Sequence, residues 1–214
     1  DIADAKVDMP QLHQRKVDTI KEFSDYRVEG LESDKFTLFR NHGEFTGSNS
    51  VKLDDGRELT ADKIMISTGS VVQVPNIPGL RELEAVWTSD EVLDLDFLPE
   101  SVIVLGGGIV ACELTQFLNR IGSKIIQIQR SENILKEVSP EASAVIENVF
   151  REEGVELYTG TCIQSISKTS EGFEVVFEAK GEVITKTAKH LFNALGRLPN
   201  TKGLNLKAAG INVQ

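Results

Sequence analysis

Residues Ser101 to Arg130 read SVIVLGGGIVACELTQFLNRIGSKIIQIQR, and this stretch decides the fold. Val102 to Leu105 is a short apolar run rich in β-branched residues, which suits a strand buried on both faces of a parallel sheet. Gly106, Gly107 and Gly108 follow at once. Gly106 permits the tight turn out of the strand, and Gly108 lets a pyrophosphate approach the backbone with no Cβ in the way. Ala111 keeps the third position small where helix must pack on strand, so the pattern is G-x-G-x-x-A. Ile109, Val110, Leu114, Phe117, Leu118 and Ile121 recur at three- and four-residue steps, which predicts a helix from Ile109 to Ile121. Its unpaired N-terminal amides and its dipole make an anion site suited to a dinucleotide diphosphate. Gly122 closes the helix, and Ile125, Ile126 and Ile128 mark the next parallel strand. Strand, turn, helix and strand fall within one βαβ unit, the context in which this motif signifies nucleotide binding rather than an ordinary strand-to-helix turn.

Downstream, Ser139-Pro140-Glu141 supplies a cap, a first-position proline and a first-turn acid, predicting a helix that runs to about Glu153 and ends at Gly154. Val155 to Tyr158 is the third parallel strand. From Cys162 to Thr187 the pattern becomes an antiparallel meander of three strands turning at Gly172 and Gly181, and His190 to Leu195 is a last buried strand. Upstream, Thr88-Ser89-Asp90-Glu91 starts a short helix with Ser89 as its cap, and Leu98-Pro99-Glu100 leads into the central strand. Pro75, Pro78 and Gly79 mark Val74 to Leu80 as a linker. Before it, Pro10 to about Glu29 has the spacing of a packed surface helix. Short strands are expected over Phe36 to Phe39, Glu44 to Thr46, Val51 to Leu53 and Arg57 to Thr60, with Asp55-Gly56 as a hairpin turn. Lys63 to Ser67 reads as a buried strand ending in Thr68-Gly69-Ser70.

The net charge of −10 argues against nucleic acid or an anionic membrane as partner, since both need a basic face. No apolar run approaches the roughly 18 residues of a membrane span, and the N-terminus shows no signal-like core. Cys112 and Cys162 lie far apart, without disulfide or metal spacing, and read as two buried small hydrophobes in a reducing compartment, the cytoplasm. His13, His42 and His190 are scattered and read as surface residues rather than ligands, so no metal site is expected.

Three stretches together resemble the pyridine nucleotide-disulfide oxidoreductases, the flavoproteins that include glutathione reductase, dihydrolipoamide dehydrogenase and mercuric reductase. They are Ile64-Met65-Ile66-Ser67-Thr68-Gly69-Ser70, the glycine fingerprint with Glu113, and Ala194-Leu195-Gly196-Arg197-Leu198-Pro199-Asn200-Thr201. Members of that family also carry an earlier FAD fingerprint, a C-x-x-x-x-C redox pair, a late G-D flavin motif and a dimerisation domain with a His-Glu pair, none of which occurs in this sequence. The resemblance therefore implies the middle of such an enzyme. Residues 1–75 would be the C-terminal part of an FAD-binding domain, 76–197 the NAD(P)-binding domain, and 198–214 the start of the return into the FAD domain. The expected fold class is α/β, a Rossmann-like parallel sheet with an antiparallel β-meander plus a partial FAD-domain segment.

The function implied is delivery of hydride from NAD(P)H to flavin, for reduction of a disulfide or metal-ion acceptor in a homodimeric longer enzyme. By itself this chain is expected neither to turn over a disulfide nor to hold FAD, so no catalytic residue is assigned within it. Alternatives are a non-disulfide relative, such as a soluble transhydrogenase or NADH oxidase, and a non-catalytic nucleotide-binding module. An acid at the end of the second strand would hold the ribose 2′-hydroxyl of NAD, whereas an arginine accommodates the 2′-phosphate of NADP. Here Gln129 stands at the acid position, Arg130 follows, and Lys136 matches a second basic residue of glutathione reductases, which favours NADPH. The alternative is that both cations are solvated loop residues, partly neutralised by Glu132. The resemblance further places Ile109 at a nicotinamide gate, Glu113 toward the flavin side, Ile163 and Gly196 along the adenine and nicotinamide ends, and Thr68-Gly69 against flavin. Plain packing, a solvated first-turn acid and a strand-to-loop turn are the respective structural alternatives.

Overall fold

The computed structural model describes residues 6–212. They form two compact units, one of residues up to Val17 and from Val72 to Gly196, the other of Asp18–Val71 with the segment from Arg197 onward.

The larger unit is built on a parallel sheet. Strand β5 (Ser101–Leu105) lies at its centre, flanked by β6 (Lys124–Ile128) and β11 (His190–Asn193), with β7 (Glu156–Tyr158) beyond β6. Helix α3 (Ile109–Ile121) links β5 to β6, and α4 (Pro140–Glu152) links β6 to β7. The alternation of side chains along β5 decides what covers each face. Val102 and Val104 enter a core cluster with Ala111, Leu114 and Leu118 of α3 and Phe150 of α4. Ile103 and Leu105 enter a second cluster with Phe173, Val175 and Phe177. Those three belong to the antiparallel meander of β8 (Thr161–Thr169), β9 (Gly172–Ala179) and β10 (Glu182–Ala188). The sheet is thus sandwiched between helices and meander, which is why all four of these β5 side chains are fully buried. The expected α/β architecture with its parallel sheet and meander is the one observed.

The smaller unit holds a three-stranded antiparallel sheet of β1 (Gly43–Gly47), β2 (Ser50–Leu53) and β3 (Glu58–Thr60). Gly56, at φ +89°, turns β2 into β3. Strand β4 (Ser70–Val72) pairs with β12 (Arg197–Pro199).

Several local expectations are corrected. Helix α1 (Met9–Leu31) forms, but its apolar side chains are not packed: Phe23 is 69% and Tyr26 74% exposed, and Met9 alone is buried. Lys63 to Ser67 is not a strand, and Met65 is 88% exposed. An apolar run becomes a buried strand only with partners at its edges and covers on its faces, and none of the described residues provides them. Phe36 to Phe39 also lies outside any ladder, with the Phe39 ring 4.8 Å from the Arg57 guanidinium. The cap of helix α2 (Ser89–Leu93) is Thr88 rather than Ser89, because Thr88 and Glu91 form a reciprocal capping box. Val74 to Leu80 is not a loose tether: Pro78 O accepts from Ile166 N–H at 2.9 Å, and Leu80 is buried. Cys162 is exposed on β8, in contrast to the buried Cys112. His190 is half-buried and stacks on Trp87 with ring centres 4.0 Å apart.

Candidate functional site

The glycine turn joins β5 to α3, and each glycine meets a different neighbour. Gly106 has φ +114°, and a Cβ on it would lie 2.4 Å from Ala194 O. Glycine is required there because the end of β11 crosses directly over the turn. A Cβ on Gly107 would lie 2.9 Å from the Gln129 side chain and 3.0 Å from Ile134 Cγ2. At Gly108 the same atom would meet nothing within 4 Å. Gly108 is also the N-cap of α3, in extended conformation and with no side-chain cap. Open space therefore lies beside the orphan amides of a 13-residue helix, a place for an anion to sit against backbone.

Behind the turn the contacts are polar and buried. Gln127, on β6, is fully buried, and its Nε2 donates to Gly106 O at 3.0 Å and to Cys112 Sγ at 3.9 Å. The Cys112 thiol donates to Gly107 O at 3.6 Å, and Leu135 N–H donates to the same carbonyl at 2.6 Å. Leu135 belongs to the loop after β6, which α4 secures: Ser143 Oγ donates to Ile134 O at 2.6 Å, and Ile134 N–H donates to Glu147 Oε1 at 3.1 Å. The turn and this loop form one hydrogen-bonded body. Neither Gln127 nor Cys112 was among the candidate residues. The signal that could have found Gln127 is a lone amide within an otherwise apolar strand interior, Ile125-Ile126-Gln127-Ile128, where a buried polar group needs a partner.

Burial pushes the Cys112 thiol up to about 11, from an ordinary value near 9. It remains a protonated donor through the neutral range. In the unfolded chain this thiol loses its proton first, so its contribution to stability is intact below pH 9 and is lost as pH rises through 9 to 11. The loss should amount to about 2–3 kcal/mol. Thermal melting at pH 8 and pH 10.5 checks this: the parent chain should lose more stability than a Cys112→Ala chain, and equal losses would refute it.

The remaining candidates distribute as follows. Ile109 is 64% exposed, and Val110 and Glu113 are exposed on the first turns of α3, while Ala111 is buried against the sheet. Gln129 does not reach outward; it folds beneath Gly107, and its Nε2 donates to Asn133 O at 3.4 Å. Arg130 is exposed at the end of β6, without an ion pair among the described residues. Lys136 is exposed in the following loop, 3.6 Å from Glu137. The Glu132 carboxylate stands over Gly160, where a Cβ would come within 2.9 Å of it, and forms no ion pair with Arg130 or Lys136 among the described residues. Gly196 ends the larger unit at φ +120°, beside Gln73. Ile163 packs against the meander-side core. Thr68 and Gly69 lie in the smaller unit, where Thr68 Oγ1 donates to Asn200 O at 2.7 Å and Asn200 N–H donates to Gly69 O at 3.0 Å. The first and third family-like stretches therefore meet each other there. Among the described residues no group of three or more His, Cys, Asp or Glu is arranged to hold a metal, and no helix is long and apolar enough to cross a membrane.

Comparison with known proteins agrees with this fold. The sequence profile of the family described as "Pyridine nucleotide-disulphide oxidoreductase" matches residues 3–214. A mercuric reductase of Bacillus cereus is 34% identical over 98% of this chain and 33% of its own length. A mercuric reductase of Staphylococcus aureus is 30% identical over 95% of this chain and 37% of its own. Among solved structures, the HOCl-induced flavoprotein disulfide reductase RclA from Escherichia coli superposes with a TM-score of 0.85 at 25% identity, over 97% of this chain and 47% of that one. The chain thus spans about a third of the length of these mercuric reductases and just under half of the RclA chain. With a family profile covering nearly all its residues and a parallel sheet, glycine turn and meander to match, this chain belongs to the pyridine nucleotide-disulfide oxidoreductase family.

Proposed function

We propose that this chain binds a reduced nicotinamide dinucleotide, NADPH in preference to NADH, across the glycine turn of β5 and α3. The observation that carries the reading is the open position at Gly108, the one glycine of the turn whose Cβ would meet free space, at a helix N-terminus with no cap of its own. A pyrophosphate fits there, on Gly106, Gly107, Gly108 and the first residues of α3, Ile109, Val110 and Ala111. Gln129, tucked beneath Gly107, offers no acid to a ribose 2′-hydroxyl, whereas Arg130 is an exposed guanidinium free to pair with a 2′-phosphate, with Lys136 as a second cation. Gly196 and Ile109 border the nicotinamide end, Ile163 the adenine end, and Glu113 faces the flavin side.

In the longer protein, residues 1–75 and 198–214 would complete an FAD-binding domain and 76–197 would present the reductant; residues 1–5 and 213–214 of these ranges lie outside the described structure. The divisions between compact units after Val71 and after Gly196 fall close to the proposed boundaries, whereas the residues up to Val17 group with the larger unit rather than with the FAD-domain segment. The bound dinucleotide supplies a hydride for flavin, and reduction of a disulfide or a metal-ion acceptor follows, the latter in keeping with relatives named mercuric reductase. For FAD the described residues supply only the Thr68-Gly69 turn, so this chain by itself neither holds flavin nor turns over an acceptor. A cytoplasmic homodimer is the setting proposed for the longer enzyme.

Arg130→Ala tests the assignment. A hydrogen-bonded charge of this kind corresponds to about a tenfold to hundredfold loss of NADPH affinity. NADH should change by no more than about twofold, since it lacks the 2′-phosphate. Calorimetric titration of both dinucleotides reads this directly, and equal losses for the two, or a parent chain that prefers NADH, would overturn the preference.

A further inference from the structure

Gln127 is an amide side chain sealed within a core that could have been wholly apolar. Its Nε2 satisfies Gly106 O and reaches the Cys112 sulfur, yet its Oε1 has no hydrogen-bond partner among the described residues. Burying an unpaired amide oxygen destabilises a fold. An apolar side chain of the same length would spare that loss but leave the buried Gly106 O without its donor, so the two costs offset and stability does not by itself select glutamine here.

The orientation of the turn does. A trans peptide is planar, with its C=O and N–H pointing in opposite directions. Holding Gly106 O inward therefore aims the N–H of Gly107 away from the core. Holding Gly107 O, by the Cys112 thiol at 3.6 Å and Leu135 N–H at 2.6 Å, likewise aims the N–H of Gly108 away from those donors. We propose that Gln127 and Cys112 form a buried clamp that fixes two successive peptide planes, so that the Gly107 and Gly108 amides stand pre-oriented toward the dinucleotide phosphates. This rests on the dinucleotide-binding reading above. Gln127 and Cys112 are positioning residues: each acts through the backbone carbonyl it holds. A turn without the clamp rotates among orientations before the anion arrives, and the affinity falls by the fraction of time spent wrongly oriented. The thiol suits this role because burial keeps it protonated and able to donate.

Gln127→Met keeps the length of the side chain and removes both N–H donors and the unpaired oxygen. The expected result is a melting temperature close to the parent's, because the unpaired Oε1 is removed while Gly106 O loses its donor, with NADPH affinity weakened about threefold to tenfold, the equivalent of one hydrogen bond. Cys112→Ala should weaken binding less, because Leu135 N–H still holds Gly107 O, and the double variant should bind more weakly than either. Melting curves with calorimetric titration by NADPH and NADH separate the outcomes. Unchanged affinity in Gln127→Met, or affinity lost only in step with melting temperature in both single variants, overturns the clamp and leaves the dinucleotide reading standing. A parent chain that binds neither dinucleotide removes both.

Discussion

A Gly108→Val chain should fold, melt within a few degrees of the parent, and fail to bind dinucleotide. Gly108 has φ −79° and ψ −175°, an extended conformation open to valine, and its Cβ would meet nothing within 4 Å. The fold therefore has no objection to the side chain. Valine is a poorer N-cap than glycine, a loss of about 1 kcal/mol, which lowers the melting temperature of a chain this size by roughly 2–4 °C. The ligand fares differently. The branched side chain fills the space through which phosphate would reach the amides of α3. Two hydrogen bonds to a charged group, at about 1.5–3 kcal/mol each, correspond to a loss on the order of a hundredfold or more in affinity. Binding retained within a few-fold would show that no phosphate approaches this position.

Gly106→Ala should give the opposite phenotype, with the fold damaged first. Its Cβ would sit 2.4 Å from Ala194 O and 2.9 Å from the Ala194 carbonyl carbon, at φ +114° where L-residues are strained. Relief requires moving the end of β11 away from β5, at the point where Ala194 N–H donates to Leu105 O at 2.9 Å. Strain together with displaced backbone should destabilise the chain by about 3 kcal/mol or more, lowering the melting temperature by roughly 6–12 °C. A melting curve close to the parent's would mean that the turn is looser than the structure shows. Two glycines separated by one residue thus differ: Gly106 admits the protein's own backbone, whereas Gly108 faces open space, where the proposed ligand would sit.

The parallel sheet was legible because β5 is a continuous apolar run and β6 an isoleucine-rich one interrupted by Gln127, and Ile109 to Ile121 was legible because helical spacing ends there at a glycine, Gly122, in left-handed conformation at φ +116°. What misled was apolar sequence without cover. Lys63 to Ser67 and the α1 side chains Phe23 and Tyr26 have the pattern of buried elements, but pattern records what a segment can bury, not whether a partner lies against it. Within the candidate site, the outer residues were proposed from glycine spacing and family likeness. The inner ones were not. Gln127 acts on the turn from 21 residues away, through a parallel strand register that pairs Leu105 with Ile128, and no local pattern carries that information. The tucked conformation of Gln129 was likewise hidden, since it depends on the open side of Gly107.

The central claim is that the β5–α3 turn is a dinucleotide site that favours a 2′-phosphate. The most direct measurement is calorimetric titration of the 214-residue chain with NADPH and then with NADH. One-to-one binding of both, tighter for NADPH, is the predicted result; saturable binding of neither, in a chain that melts cooperatively, would contradict it.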